Sequence, residues 1–232
     1  MRGLDILLRW SLTGAAVLAI AACAQQPPKE LTMVDHIKAG LIEQDVFVEK
    51  EPGKIYRISP DEFDAYKNAP IFAASTSAHH HPFNGEHNGP YEKGAPLDMT
   101  MAQWLSATGA VTYQCNAGKS DVTAHYKNLV PNAVYTMWYA YTAKGFMGCK
   151  DCPFATIDFP VGPSDGSGSV FRTDASGSGT ITASMERCVE SDDPHLMAMF
   201  AIAYHSDGNT YGPSPGPVGS VSHVQLFAGL PE

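Results

Sequence analysis

The stretch from Leu129 to Thr142 reads Leu-Val-Pro-Asn-Ala-Val-Tyr-Thr-Met-Trp-Tyr-Ala-Tyr-Thr, and it constrains the fold of this 232-residue chain more tightly than any other. Pro131-Asn132 is a turn signal, and β-branched or aromatic residues fill almost every position after it. Alternation puts Val134, Thr136, Trp138 and Ala140 on one face and Tyr135, Met137, Tyr139 and Tyr141 on the other. Neither face is charged, so both need cover, and the strand belongs inside a packed sheet.

The N-terminus has another character. Arg2 and Arg9 precede an uncharged run from Trp10 to Ala22, which ends at Cys23. This is the order of a secretion signal, and the run is shorter than the roughly 20 apolar residues of a membrane-spanning helix. Leu18-Ala19-Ile20-Ala21-Ala22-Cys23 resembles the lipobox of bacterial lipoproteins. That resemblance implies removal of residues 1–22 and lipidation of Cys23. It also implies the outer membrane in a Gram-negative cell, because Ala24 rather than an aspartate follows the cysteine. The alternative is an ordinary secretory signal with an incidental cysteine. After cleavage, 13 Lys and Arg face 23 Asp and Glu, a formal charge of −10. Such acidity disfavours nucleic acid and anionic lipid as partners, which leaves the acyl chain as the expected membrane attachment.

Four cysteines remain: Cys115, Cys149, Cys152 and Cys188. An oxidising envelope makes two disulfides the simplest reading, with three connectivities open. The preferred pairing is Cys149–Cys152 as a loop clasp and Cys115–Cys188 as a long-range tie. A redox role for Cys149-Lys-Asp-Cys152 is disfavoured, since Pro153 and a strand-like segment follow where a thioredoxin-type unit opens a helix.

Residues 23–44 read as a tether and a short amphipathic helix carrying Leu31, Val34, Ile37 and Leu41 at helical spacing. A globular domain spans 45–232. Its 45–109 part is expected to be helical and loop-like. Two short strands, 46–48 and 54–58, are followed by a helix capped by Ser59 with Glu62 completing the box. A His/Pro/Gly/Asn-rich loop runs from 75 to 95, and a helix follows with Thr100 as its cap and Gly109 as its stop. From 110 onward the pattern is all β. Strands are expected at 110–115, 121–126, 133–142, 154–161, 169–174, 179–185, 196–205 and 221–228. The fold class is therefore mainly β, an antiparallel β-sandwich or partly open barrel of about eight strands with short N-terminal helices.

Chemistry-bearing residues gather in three places. His79, His80, His81, Glu86 and His87 offer nitrogen and oxygen donors for copper or zinc, although adjacent extended histidines point apart, so His79, His81 and His87 are the usable set. His205 and His223 flank a 15-residue Gly/Pro loop and, with Asp207, form either a metal site, an acid–base group or a set of loop anchors. His195, Met197 and Met199 alternate onto one strand face, where the methionines are expected to fill core gaps rather than hold Cu(I). There is no Gly-x-Ser-x-Gly elbow, no His-Glu-x-x-His and no phosphate-binding loop.

These observations lead to an expectation of a lipid-anchored envelope protein that binds copper, zinc or another small ligand through His79, His81, His87, His205 and His223. One alternative is a hydrolase or acid–base enzyme using His205, Asp207 and His223. The other is a structural or adhesive envelope module.

Overall fold

The computed structural model describes residues 27–39, 41, 45–78, 88–144 and 156–230. Cys23, His79, His81, His87, Cys149 and Cys152 lie outside these residues. In chain order the elements are β1 (Lys29–Met33), β2 (Phe47–Glu51), β3 (Lys54–Tyr56), a 3-10 turn (Pro60–Glu62) leading into α1 (Phe63–Tyr66), and β4 (Pro70–Ala74). Next come β5 (Tyr91–Thr100), α2 (Met101–Leu105), β6 (Thr108–Asn116), β7 (Lys119–Lys127) and β8 (Val134–Ala143). The chain continues through β9 (Ile157–Pro160), β10 (Val170–Arg172), β11 (Gly179–Met185), β12 (Leu196–His205) and β13 (Ser222–Gly229). The protein is mainly β and its sheets are antiparallel, as the alternation in the sequence predicts.

Two sheets face each other. One has the order β1-β6-β7-β11, and the other has the order β10-β8-β12-β13 with β9 also paired to β8. β7 shows how the first sheet is built: Ser120, Val122, Ala124 and Tyr126 point inward while Lys119, Asp121, His125 and Lys127 meet water. β8 is buried on both faces and has neighbours on both edges, as its sequence demands. Tyr113, Val122 and Tyr126 from one sheet pack against Tyr135, Met137 and Phe200 from the other. Cys115 and Cys188 are bonded, with Cα atoms 5.4 Å apart, and tie the end of β6 to the segment after β11.

Segment 45–109 departs from the helical and loop character expected of it. β2, β3, β5 and β4 close a small barrel whose core includes Val48, Ile58, Ile71, Met101 and Trp104. β5 falls where a loop is expected because its pairing with β4 slips twice and Asp98 sits at φ 55°, so no clean alternation survives in the sequence. Both helix caps form as expected: Ser59 with Glu62, and Thr100 with Gln103. The second helix stops at Leu105, and Gly109 instead lies within β6, where an added Cβ would stand 2.6 Å from the Tyr126 ring.

The amphipathic helix expected over 31–41 is not formed. Lys29–Met33 alternates in burial and pairs with β6, from Lys29↔Tyr113 to Met33↔Gly109. The open edge of β6 offers five residues a hydrogen-bonded ladder, whereas a helix of that length standing alone is marginal. Val34 then bridges to Phe227, joining the two sheets at one corner. No helix among the described residues is long and apolar enough to cross a membrane.

Candidate ligand-binding site

The outer face of the second sheet carries a trough. β12 runs down its middle with Ala201 and Ala203 facing out, and cross-strand pairing places larger residues on either side. Ala201 pairs with Trp138 on β8 and Phe227 on β13, so an alanine floor lies between two aromatic walls. The walls stand about 10 Å apart, two strand spacings. Ala203 is flanked in the same way by Thr136 and Val224. A register shift in β13 makes this possible, because Ile202 pairs with Leu226 while Ala203 pairs with Val224. Gln225 is the extra residue. Without it Val224 and Phe227, three positions apart, would face opposite sides.

Gln225 holds that bulge from within. Its Oε1 accepts from Tyr135 Oη at 2.7 Å, and its Nε2 donates to the Trp104 carbonyl at 2.9 Å. Pro215 and Val218 of the Gly/Pro loop also line the trough, as do Asp45, Thr156 and Asp158. They complete a cavity of about 240 Å³. This is near the small end of the range for ligand clefts, which are mostly apolar with a few polar groups.

Asp45 is only 2% exposed and joins three parts of the molecule. Its carbonyl takes His223 Nδ1 at 2.6 Å, and its Oδ2 accepts from Val224 N at 3.1 Å. Its Oδ1 lies 3.9 Å from Nη2 of Arg57, which is fully buried. The Arg57 guanidinium sits 4.9 Å from the Phe47 ring centroid and 5.1 Å from that of Tyr91, and Nη1 donates to Tyr91 Oη at 2.8 Å.

His205 and His223 do lie at one end of the β12–β13 hairpin, but they do not share a site. Tyr204 pairs with His223 and His205 with Ser222, so the two imidazoles leave opposite faces of the sheet. His205 Nε2 meets Thr136 Oγ1 at 2.7 Å. His223 carries its proton on Nδ1, because its partner there is a carbonyl, and Nε2 accepts from Ser206 Oγ at 3.0 Å. Burial pushes the His205 pKa down to about 4, with the Asp207 carboxylate opposing the shift and the His223 ring adding to it. Burial lowers His223 as well, against the pull of Asp45 and Asp207.

Asp207 turns to its own loop, accepting from Tyr211 Oη at 2.6 Å and from Asn209. Burial raises its carboxyl pKa, but these bonds outweigh it and hold the group below the ordinary range. None of His205, Asp207 and His223 lines the trough. Among the described residues, no three His, Cys, Asp or Glu side chains gather as a metal site. His195 is exposed and uses its backbone N–H on Asp193. Met197 and Met199 are half-buried on the outer face rather than filling the core, and Met199 lines the trough. The sequence signal for this cavity is Ala201-x-Ala203 on a central strand, with aromatic residues on its neighbours.

No protein-family model matches the chain, and neither a curated protein nor a solved structure matches it.

Proposed function

We propose that this is a lipid-anchored envelope protein whose β-sandwich binds a small, predominantly apolar molecule in the trough between Trp138 and Phe227. The observation that carries this reading is the alanine floor between aromatic walls, with Pro215 and Val218 of the Gly/Pro loop in the same lining. A single ring or a short hydrocarbon segment suits that width. Its mostly apolar lining favours a neutral ligand. Copper or zinc is not part of this reading, because His205 and His223 are committed to separate hydrogen bonds. Acid–base catalysis by His205, Asp207 and His223 is set aside for the same reason.

The test is titration of the folded domain with the neutral single-ring dye 4-nitroaniline, read by Trp138 quenching. The wild-type domain is expected to bind saturably, and Ala201→Phe, which fills the floor, to abolish binding while leaving the fold intact. Equal binding by both proteins, or none by the wild type, overturns the proposal.

A further inference from the structure

The lipobox and the position of β1 together say which way the domain faces. This inference rests on the anchor reading above. Only five residues, 24–28, separate Cys23 from Lys29, the first residue of β1. Fully extended, that link reaches about 20 Å. Lys29 pairs with Tyr113 near the β6–β7 turn, and Lys29 Nζ meets Glu190 at 2.6 Å. The same end of the sandwich holds the Cys115–Cys188 disulfide, Lys144 after β8 and the start of β12. The Gly/Pro loop lies at the opposite end, about 30 Å away along the ten residues of β8.

Charge divides the same way. At the Lys29 end the described residues carry four cations, Lys29, Lys119, Lys144 and Arg187, and six acids, Glu30, Asp121, Glu186, Glu190, Asp192 and Asp193. The rest of the described residues carry eight cations against thirteen acids. Most of the excess negative charge of the described residues therefore lies away from the end nearest the anchor, where it is repelled least by a bilayer. This end also has a cleft of about 380 Å³ lined by Lys29, Lys144, Glu190, Asp192 and Asp193 beside Leu196 and Met197.

We propose that the Lys29 end rests on the bilayer bearing the anchor, with this mixed-sign cleft seated on a zwitterionic phospholipid headgroup. Lys144 faces the phosphate while Lys29 stays on Glu190, and Asp192 and Asp193 face the headgroup ammonium. The trough, on the flank of the sandwich, is then held off the lipid.

The experiment uses full-length protein recovered with and without globomycin, its mass measured, and the acylated form placed in phosphatidylethanolamine/phosphatidylcholine vesicles containing headgroup spin-labelled lipid. A fluorescent amino acid replaces Lys119 at the near end or Asn209 at the far end. Loss of most emission at 119 with none at 209 is expected, and Lys144→Glu is expected to reduce the loss at 119. Equal quenching, or stronger quenching at 209, overturns the orientation while the anchor stands. Quenching at 119 that Lys144→Glu leaves unchanged removes the headgroup cleft. A mass unaffected by globomycin removes the anchor and the orientation together.

Discussion

His205 Nε2 and Thr136 Oγ1 lie 2.7 Å apart on the trough-bearing face of β12 and β8, both buried, and the Trp138 indole N–H meets the same hydroxyl oxygen at 2.7 Å. One small side chain thus serves two buried polar rings. Thr136→Val keeps the volume and removes both bonds, and leaving buried groups unsatisfied costs about 1–3 kcal/mol. Urea denaturation is expected to show that loss for Thr136→Val and a smaller one for Thr136→Ser, which retains the hydroxyl.

Stability should fall on mild acidification. His205 is held near a pKa of about 4 and His223 is lowered too, so both are neutral in the folded protein at pH values where an unfolded histidine, near 6.5, already takes up a proton. The depressed folded values make the stabilisation complete above pH 6.5. It is lost progressively as the pH drops from there towards about 4, by about 2 kcal/mol or less for His205. Denaturation midpoints measured across that window should decline with decreasing pH, and His205→Gln should flatten the slope. A midpoint independent of pH would contradict the buried neutral imidazole.

Arg57 is the largest polar commitment in the barrel, stacked between Phe47 and Tyr91 and facing Asp45. Removing one partner of a buried ion pair costs about 3–5 kcal/mol. Arg57→Ala is expected to show this in thermal melts and to weaken dye binding in the trough, because Asp45 also holds His223 and Val224. Arg57→Lys keeps the charge but not the planar stacking, so it should recover only part of the loss.

The Cys115–Cys188 bond closes a span of 73 residues, and the chain-entropy relation assigns such a loop about 4 kcal/mol. Cys115→Ser with Cys188→Ser should lower the melting temperature by an amount consistent with that figure, as should reduction of the wild-type protein. Dye affinity at 25 °C should survive in the reduced protein, since the bond lies at the end of the sandwich away from the Gly/Pro loop.

The second half of the chain was legible because its strands are long and their burial alternates, as in β7, or is complete on both faces, as in β8. The caps at Ser59 and Thr100 were legible because a hydroxyl and a carboxylate or amide three residues on are a local device. β1 was not, because its five residues gain their ladder from β6, far along the chain, and sequence periodicity carries no information about a distant open edge. β5 was hidden by its slipped register. The trough depended on which strands neighbour β12 and on one bulge at Gln225, neither of which leaves a local mark. Histidines drew attention by their clustering, yet alternation sent His205 and His223 to different faces.

The pairing of β1 with β6 also has a consequence in time. A chain made from its N-terminus produces Lys29–Met33 long before Thr108–Asn116 exists to receive it. The barrel strands, whose partners all lie between Phe47 and Thr100, have everything they need while β1 still waits. Contacts of long sequence separation form late. The first of the described strands to emerge is thus expected to be among the last to dock, and until it does the edge of β6 stands open to pairing with another chain.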